Sequence, residues 1–360
     1  MFMQFIRFVQ KPRIQIISII LTSIYIGCLL FVTYSAKIFR EHPIALEKPT
    51  PTAEQLANHV EVGLHINSFP YFSFKHTKFT IDGTLWFKFD QGMESLETLE
   101  NFSIKNMVLK QEEKLFYRSK PLIKRINDKV LVSYHVQFTF MTEINFKKFP
   151  IGDHRLNLQI ENRSASTQEL LFTIKPENIT FNEHLLVDDW RPLGVNTSSG
   201  IIRTKLGGDS EATEITYPGV GVTINFENIG ARSLISLYFP LFVLFFIGLL
   251  SLSLGIFDPS RLMVLATSLP TLVLFRLVVD AVSPEVGYAT HIDFVYYVLV
   301  LLSLLILFFQ TYVMLVIEKA KTLLTDQQSA IKEKLEIINA LLFITVLTAL
   351  ITIMTVDLFF

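Results

Sequence analysis

Inside an otherwise apolar run, LMVLATSLPTLVLFRLVVDAV (262–282), stand Thr267, Ser268, Pro270, Thr271, Arg276 and Asp280. Hydroxyls, a guanidinium and a carboxylate at membrane depth can solvate water or ions, which is transport chemistry. A membrane helix this polar is shielded by other helices and lines an interior or a water path. Arg276 and Asp280 are four residues apart, so they can pair along one helix face. In the other reading Asp280 stands free as an outer charged residue. Bond-making chemistry finds no footing: there is no Gly-x-Ser-x-Gly, no phosphate loop and no His/Cys/carboxylate cluster at ligand spacing. Neither enzymatic activity nor a metal or organic cofactor is expected.

Positioning such a helix takes a membrane bundle. The run is flanked by SLISLYFPLFVLFFIGLLSLSLGIF before it and FVYYVLVLLSLLILFFQTYVML after it, and a last apolar run covers 337–358. Each is long enough to cross a hydrocarbon core of about 30 Å as a helix. Another apolar run, 14–35, follows Arg7, Lys11 and Arg13. It is a signal peptide or an uncleaved anchor, and its length favours the anchor. The polar stretch 318–336 can itself be helical. Basic residues before the first run and Lys319, Lys321, Lys332 and Lys334 after the fourth put the N-terminus and 318–336 on the cytoplasmic side. The region before the helix trio and the C-terminus then lie outside.

The composition agrees: 360 residues, 50% hydrophobic, 18% charged, formal net charge −1. These values fit a membrane protein and argue against a nucleic-acid partner. Cys28 is the single cysteine, so no intrachain disulfide can form. For an external domain of this size that favours a bacterial envelope protein.

Between about 61 and 228 the pattern changes. HVQFTF (135–140), HRLNLQI (154–160) and VGVTINF (220–226) alternate apolar with polar residues, the period of half-buried strands. Asp82-Gly83, Gly207-Gly208-Asp209 and Pro218-Gly219 read as turns between strands, and many short strands suggest a β-sandwich. The expected organisation is an anchor or signal helix (1–36), a Pro-containing linker (37–60), a β-sandwich (61–230), and a four-helix transmembrane domain (231–360) containing the linker 318–336.

This order of parts resembles the pentameric ligand-gated ion channels, the Cys-loop receptor superfamily. TEINFKKFPIGDHRLNLQI (142–160) looks like the family's signature loop around Phe149-Pro150, with Thr142 and Leu156 where animal members carry cysteines. Pro240 falls at the depth of a family proline in the first helix. The second helix runs without a gap from Arg261 to Pro284, and SPEVGYATHID resembles the loop that follows it. Trp86 and Trp190 resemble two structural tryptophans of the sandwich. The resemblance covers roughly 60–360; the N-terminal run lies outside it.

What the resemblance implies is a homopentamer in the bacterial inner membrane with the β domain outside, conducting inorganic ions passively. The pore-lining residues would be Met263, Thr267, Pro270, Leu274, Val278 and Ala281, whose spacing keeps them on one helix face. The null is a face packed within a plain bundle. Asp258-Pro259-Ser260-Arg261 resembles the mouth of anion-selective members, although Asp258 would add negative charge there. Coupling between domains would involve Phe149, Pro150, Asp153, Arg232, Pro284 and Tyr288. Gly152 stands where the family usually has Asp, and no basic residue occupies Glu227-Asn228, so that coupling is rewired.

Phe102, Phe116, Tyr117 and Tyr217 are candidate ligand-site aromatics, each also readable as a core or interface residue. The loop ENRSASTQEL (161–170) contributes no aromatic, which argues against an amine agonist held by cation–π attraction. An unknown small molecule or protons would open the channel, with His135 or His154 as proton sensors. Asp188 and Asp189 could meet Ca²⁺ or simply be solvated. The competing function is a non-conducting envelope sensor, which the chain's want of a cytoplasmic kinase or nucleotide-binding unit disfavours.

Overall fold

The computed structural model describes residues 2–36, 39–49, 57–92, 96–108, 116–183, 185, 187, 189–206, 213–320 and 325–359. Asp188 and the Gly207-Gly208-Asp209 turn lie outside the described residues, as does the Phe116 side chain. The chain divides into two compact units, residues 38–145 with 152–230, and residues 1–37 with 146–151 and 231–360.

The first unit is built of strands. β1 (Asn58–Ser73), β2 (Lys78–Asp90), β4 (Phe116–Arg118), β5 (Leu122–Ile126), β6 (Lys129–Met141), β8 (Leu170–Thr173) and β9 (Ile179–Phe181) form a seven-stranded sheet. Its main path is β4-β6-β2-β1-β8, with β5 on β6 and β9 on β1. The other sheet has the order β10-β11-β7-β3, with β3 (Phe102–Ile104), β7 (His154–Asn162), β10 (Trp190–Leu206) and β11 (Thr213–Asn228). HVQFTF, HRLNLQI and VGVTINF fall inside β6, β7 and β11. Their alternating apolar side chains face a shared core: Val136, Phe138 and Phe140 from one sheet, Leu156, Leu158, Val222 and Ile224 from the other. Phe69 and Phe72 of β1 meet Phe226 of β11 across it, with ring centroids 5.9 and 5.1 Å apart.

Asp82-Gly83 and Pro218-Gly219 are not turns. They lie within β2 and β11, and their glycines serve close approach. A Cβ on Gly83 would sit 2.4 Å from the His65 carbonyl oxygen, beside a register shift in β1. One on Gly219 would sit 2.3 Å from Ile202 Cδ1. Trp86 likewise demands Gly63, where a Cβ would fall 2.1 Å from the indole.

The described part of the stretch read as a linker, 39–49, runs along the β7–β11–β10 sheet. Phe39 bridges Asp153 and Glu47 bridges Ile201, while the Ile44 N–H donates to Thr223 Oγ1 at 3.1 Å.

The second unit is helical: α1 (Phe2–Val9), α2 (Pro12–Ser35), α4 (Ala231–Leu250), α5 (Ser260–Leu274), α6 (Arg276–Val282), α7 (His291–Ala320) and α8 (Thr325–Phe359); α3 (Leu96–Glu100) belongs to the β unit. Among the described residues, five stretches are long and apolar enough to cross a membrane: Pro12–Ser35, Ala231–Ser253, Ser260–Val282, His291–Ala320 and Gln327–Val356. Helix covers most of 318–336, since α7 runs to Ala320 and α8 begins at Thr325.

The bundle core is a set of helical stripes. α4 contributes Leu237, Leu241, Phe245 and Leu249, α5 and α6 contribute Leu265, Leu272 and Val279, α7 contributes Val295, Leu299 and Ile306, and α8 contributes Phe343, Leu350 and Met354. Helix α2 packs its Ile19, Ile26 and Leu30 into the same core, and the Tyr25 and Thr355 hydroxyls meet at 2.9 Å.

Candidate functional site

Helices α5 and α6 present two unlike faces. Leu265, Ser268, Leu272 and Val279 are buried in the bundle. Met263, Thr267, Pro270, Leu274, Val278 and Ala281 are all exposed, with Met263 at 69% and Leu274 at 64%. The stripe read from spacing is therefore the face that no helix of its own chain covers.

A proline at 270 kinks a helix and has no N–H to give the Ala266 carbonyl. Helix α5 continues through Pro270, and a separate interruption comes at Phe275, between α5 and α6. There Tyr296 of α7 donates its hydroxyl to the Val273 carbonyl at 3.3 Å. Thr267 and Thr271 turn their hydroxyls back onto the helix, Thr271 donating to the Thr267 carbonyl at 2.8 Å.

Arg276 opens α6 and pairs with Asp280 at 2.7 Å, as their spacing allows. It also meets Asp293 of α7 at 2.5 Å, a partner that spacing alone could not supply. Asp293 Oδ2 accepts from the Thr290 N–H at 2.7 Å and the Thr290 hydroxyl at 2.8 Å. The guanidinium lies over the Tyr296 and Tyr297 rings, 5.5 and 5.4 Å from their centroids.

At the other end of α5 the charges separate. Asp258 is exposed, and its Oδ1 accepts the Ser260 N–H at 2.9 Å, which holds its carboxyl below the usual value. Ser260 is likewise exposed. Arg261 differs from a mouth residue: it is 2% exposed, and its Nε donates to the Ser251 carbonyl at 3.0 Å while Nη2 bonds Asn339 Oδ1. Asn339 donates to the Leu252 carbonyl at 2.8 Å and Gln310 to Ser251 Oγ at 3.0 Å. This polar node ties the end of α4 to α5, α7 and α8.

Of the residues that the resemblance implies for coupling, Phe149, Pro150, Pro284, Tyr288 and Arg232 belong to the helical unit. The segment 146–151 is fastened to the start of α7. Tyr288 Oη accepts the Phe146 N–H at 2.9 Å, and the carbonyls of Lys147 and Phe149 accept the N–H groups of His291 and Ile292 at 2.9 and 3.2 Å. Those first-turn N–H groups have no partner within a helix, so the loop caps α7. Phe149-Pro150 is a cis peptide, Phe149 packs on the bundle core and Pro284 is buried. Gly152 has φ 135°, a region L side chains rarely adopt, which accounts for a glycine at this position. Arg232 is exposed on the first turn of α4.

Asp153 stays in the β unit, where its Oδ1 accepts the Asn228 N–H at 3.0 Å. Beside it His154 has a partner, Glu41, that spacing in the sequence could not supply. Glu41 and His154 are both buried, with Oε1 and Nδ1 2.9 Å apart, and the same Oε1 accepts the Asn145 N–H at 2.9 Å. Burial pushes the Glu41 carboxyl up, but His154 and the Asn145 N–H outweigh it and hold it below its ordinary value. His154 also stacks with Phe74 and Trp190, at centroid distances of 4.9 and 5.4 Å. His135, by contrast, is half exposed beside Asp82 at 3.2 Å.

Of the four candidate aromatics, the three whose side chains are described have separate partners. Phe102 is buried against Phe87 and Tyr134, Tyr117 is exposed with its edge towards His135, and Tyr217 is buried with its hydroxyl 2.6 Å from Thr204 Oγ1. Tyr217 has Arg163 over its ring at 5.8 Å, and Arg163 in turn pairs at 2.7 Å with Glu161, which is 1% exposed. Charged residues thus stand where ENRSASTQEL lacks an aromatic. Among the described residues no group of three or more His, Cys, Asp or Glu could hold a metal ion.

A comparison with protein-family models finds no match, and a comparison with curated proteins finds none either.

Proposed function

We propose that this multi-pass membrane protein is a homopentameric ion channel whose pore is lined by the α5–α6 face. The observation that carries the reading is that face itself. Met263, Thr267, Pro270, Leu274, Val278 and Ala281 are uncovered by their own bundle, and the adjoining exposed positions include Thr271 and Asp280. The Thr267 and Thr271 hydroxyls bond back to their own helix, so the carboxylate decides: lipid is a poor neighbour for the half-exposed Asp280, whereas a water-filled axis suits it. The apolar members, Leu274 above all, suit a constriction that closes by dewetting.

The resemblance of the mouth led to an expectation of anions. The side-chain positions favour cations instead, because Arg261 is turned into the bundle while Asp258 is exposed and ionised at neutral pH. Around a fivefold axis Asp258 would form a carboxylate ring. The external trigger would be a small molecule or protons acting on the β unit, with lipids and a bacterial inner membrane as surroundings.

The test is current across planar bilayers holding the purified protein, with Thr267→Cys in a Cys28→Ser background. A charged thiol reagent should block the current of this variant and leave Cys28→Ser alone. Conduction insensitive to modification at 267 would remove this face from the pore.

A further inference from the structure

Helices α2 and α4 do not close on one another along their whole length. Between them runs a groove of about 370 Å³, lined from Ser23 to Tyr34 on α2 and from Ala231 to Phe246 on α4. Its walls are apolar, with Ile235 and Phe239 at 58% and 65% exposure on one side and Phe31 at 69% on the other. Gly27 is one of its lining residues, and a Cβ there would meet nothing within 4 Å. Glycine inside a membrane helix commonly lets two backbones approach; here no neighbour uses the space. The glycine leaves open space in a slot whose α4 wall includes Phe239 and Phe242.

One end of the slot carries a cation. Arg232 lies next to the lining residue Ala231 and one turn before the lining residue Ile235, which puts it at the groove's edge on α4 rather than in its wall. It is exposed on the first turn of α4, at the Tyr34 and Ala231 end. Ser23 and Tyr34 are eleven residues apart, which at helical rise is about 17 Å, close to one leaflet of a hydrocarbon core of about 30 Å.

We propose that the α2–α4 groove is a phospholipid site: one acyl chain lies in the slot over Gly27, and Arg232 meets the headgroup phosphate. An apolar slot one leaflet deep with a guanidinium at its rim matches both halves of that ligand. The occupant makes the N-terminal helix, which lies outside the channel-like part of the chain, a lipid-dependent component of the bundle. The site needs only that these helices span a membrane, so it stands or falls apart from conduction.

The experiment is photolabelling of the full chain in phosphatidylethanolamine vesicles doped with phosphatidylglycerol carrying a diazirine on one acyl chain. Peptide mapping compares 231–246 with the exposed α7 face around Leu301 and Phe308, which reports bulk lipid. Wild-type labelling of 231–246 should exceed that of the α7 face. Gly27→Leu, which fills the slot, should lower it at least about fivefold, since a packed slot leaves no room for a chain. Arg232→Gln should lower it by about fivefold, the loss of roughly one cation–phosphate attraction at a membrane surface, and it covers the case in which Gly27→Leu fails to fold. Equal labelling of the two faces, or labelling indifferent to both substitutions, overturns the proposal. So does a groove protected from the probe by a second copy of the chain.

Discussion

Arg276 of α6 meets Asp293 of α7 at 2.5 Å, just past the point where the α5 helix is interrupted at Phe275. Asp293 is 7% exposed, so the guanidinium answers a mostly buried carboxylate, whereas Asp280, its other partner, is half exposed. The two ion pairs of one arginine should therefore be unequal.

Replacing Arg276 with Gln removes a charge-assisted bond from Asp293, at a cost of about 2 kcal/mol. Asp280→Asn removes only an exposed pair, costing less than about 1 kcal/mol. Thermal unfolding in detergent should show a clearly larger fall in Tm for Arg276→Gln. Equal falls would mean that Asp293 does not depend on Arg276.

Leu274 and Leu272 are two residues apart on opposite faces, 64% and 1% exposed. If Leu274 lines the constriction, Leu274→Ser should wet it and raise unstimulated current about tenfold, a change of about 1.4 kcal/mol in the opening equilibrium. Leu272→Ser should instead lower stability by about 2–4 kcal/mol through a core cavity and a buried hydroxyl, read as loss of monodisperse protein. Unchanged gating in Leu274→Ser would put the gate elsewhere.

Selectivity should follow Asp258. In a KCl gradient the wild-type reversal potential should lie towards the potassium equilibrium value, and Asp258→Asn should move it towards zero. A wild-type potential on the chloride side would reverse the assignment of the mouth.

Glu41 makes a pH prediction for the β unit. Its folded pKa is lowered from 4.5, so its stabilisation is fully present above that value and lost as pH falls through the lowered folded value. Glu41→Gln should lower stability by about 1–3 kcal/mol at neutral pH. The difference in Tm between wild type and variant should hold down to about pH 4.5 and close on further acidification. A gap that widens there would give the contribution the opposite sign.

What was legible in the chain was whatever depends on period. β6, β7 and β11 stand where alternation put them, and the α5–α6 stripe is one face because helical geometry makes it so. Features that depend on tertiary contact were not legible. Gly83 and Gly219 look like turn residues, yet each is set by an atom distant in the chain, the His65 carbonyl and Ile202. The 39–49 strip looked like a linker because of its prolines. Its contacts rest largely on acceptors, since the Glu41, His42 and Glu47 carbonyls take bonds from Arg155, Asn157 and Ile201, so few N–H groups are needed. Arg261 reads as a mouth charge from its neighbours in sequence, and only Ser251 and Asn339 reveal that it points inward. The interruption at Phe275 has no proline to announce it, and only Tyr296, which donates to the Val273 carbonyl, marks the place.

If α5 and α6 surround an axis, an electron cryomicroscopy reconstruction of the full chain in lipid nanodiscs, viewed down the membrane normal, should show a fivefold ring with Thr267, Leu274 and Val278 facing the centre and α2 at the periphery. A dimer, or a ring whose axis is lined by another helix, would rule out a pore on this face.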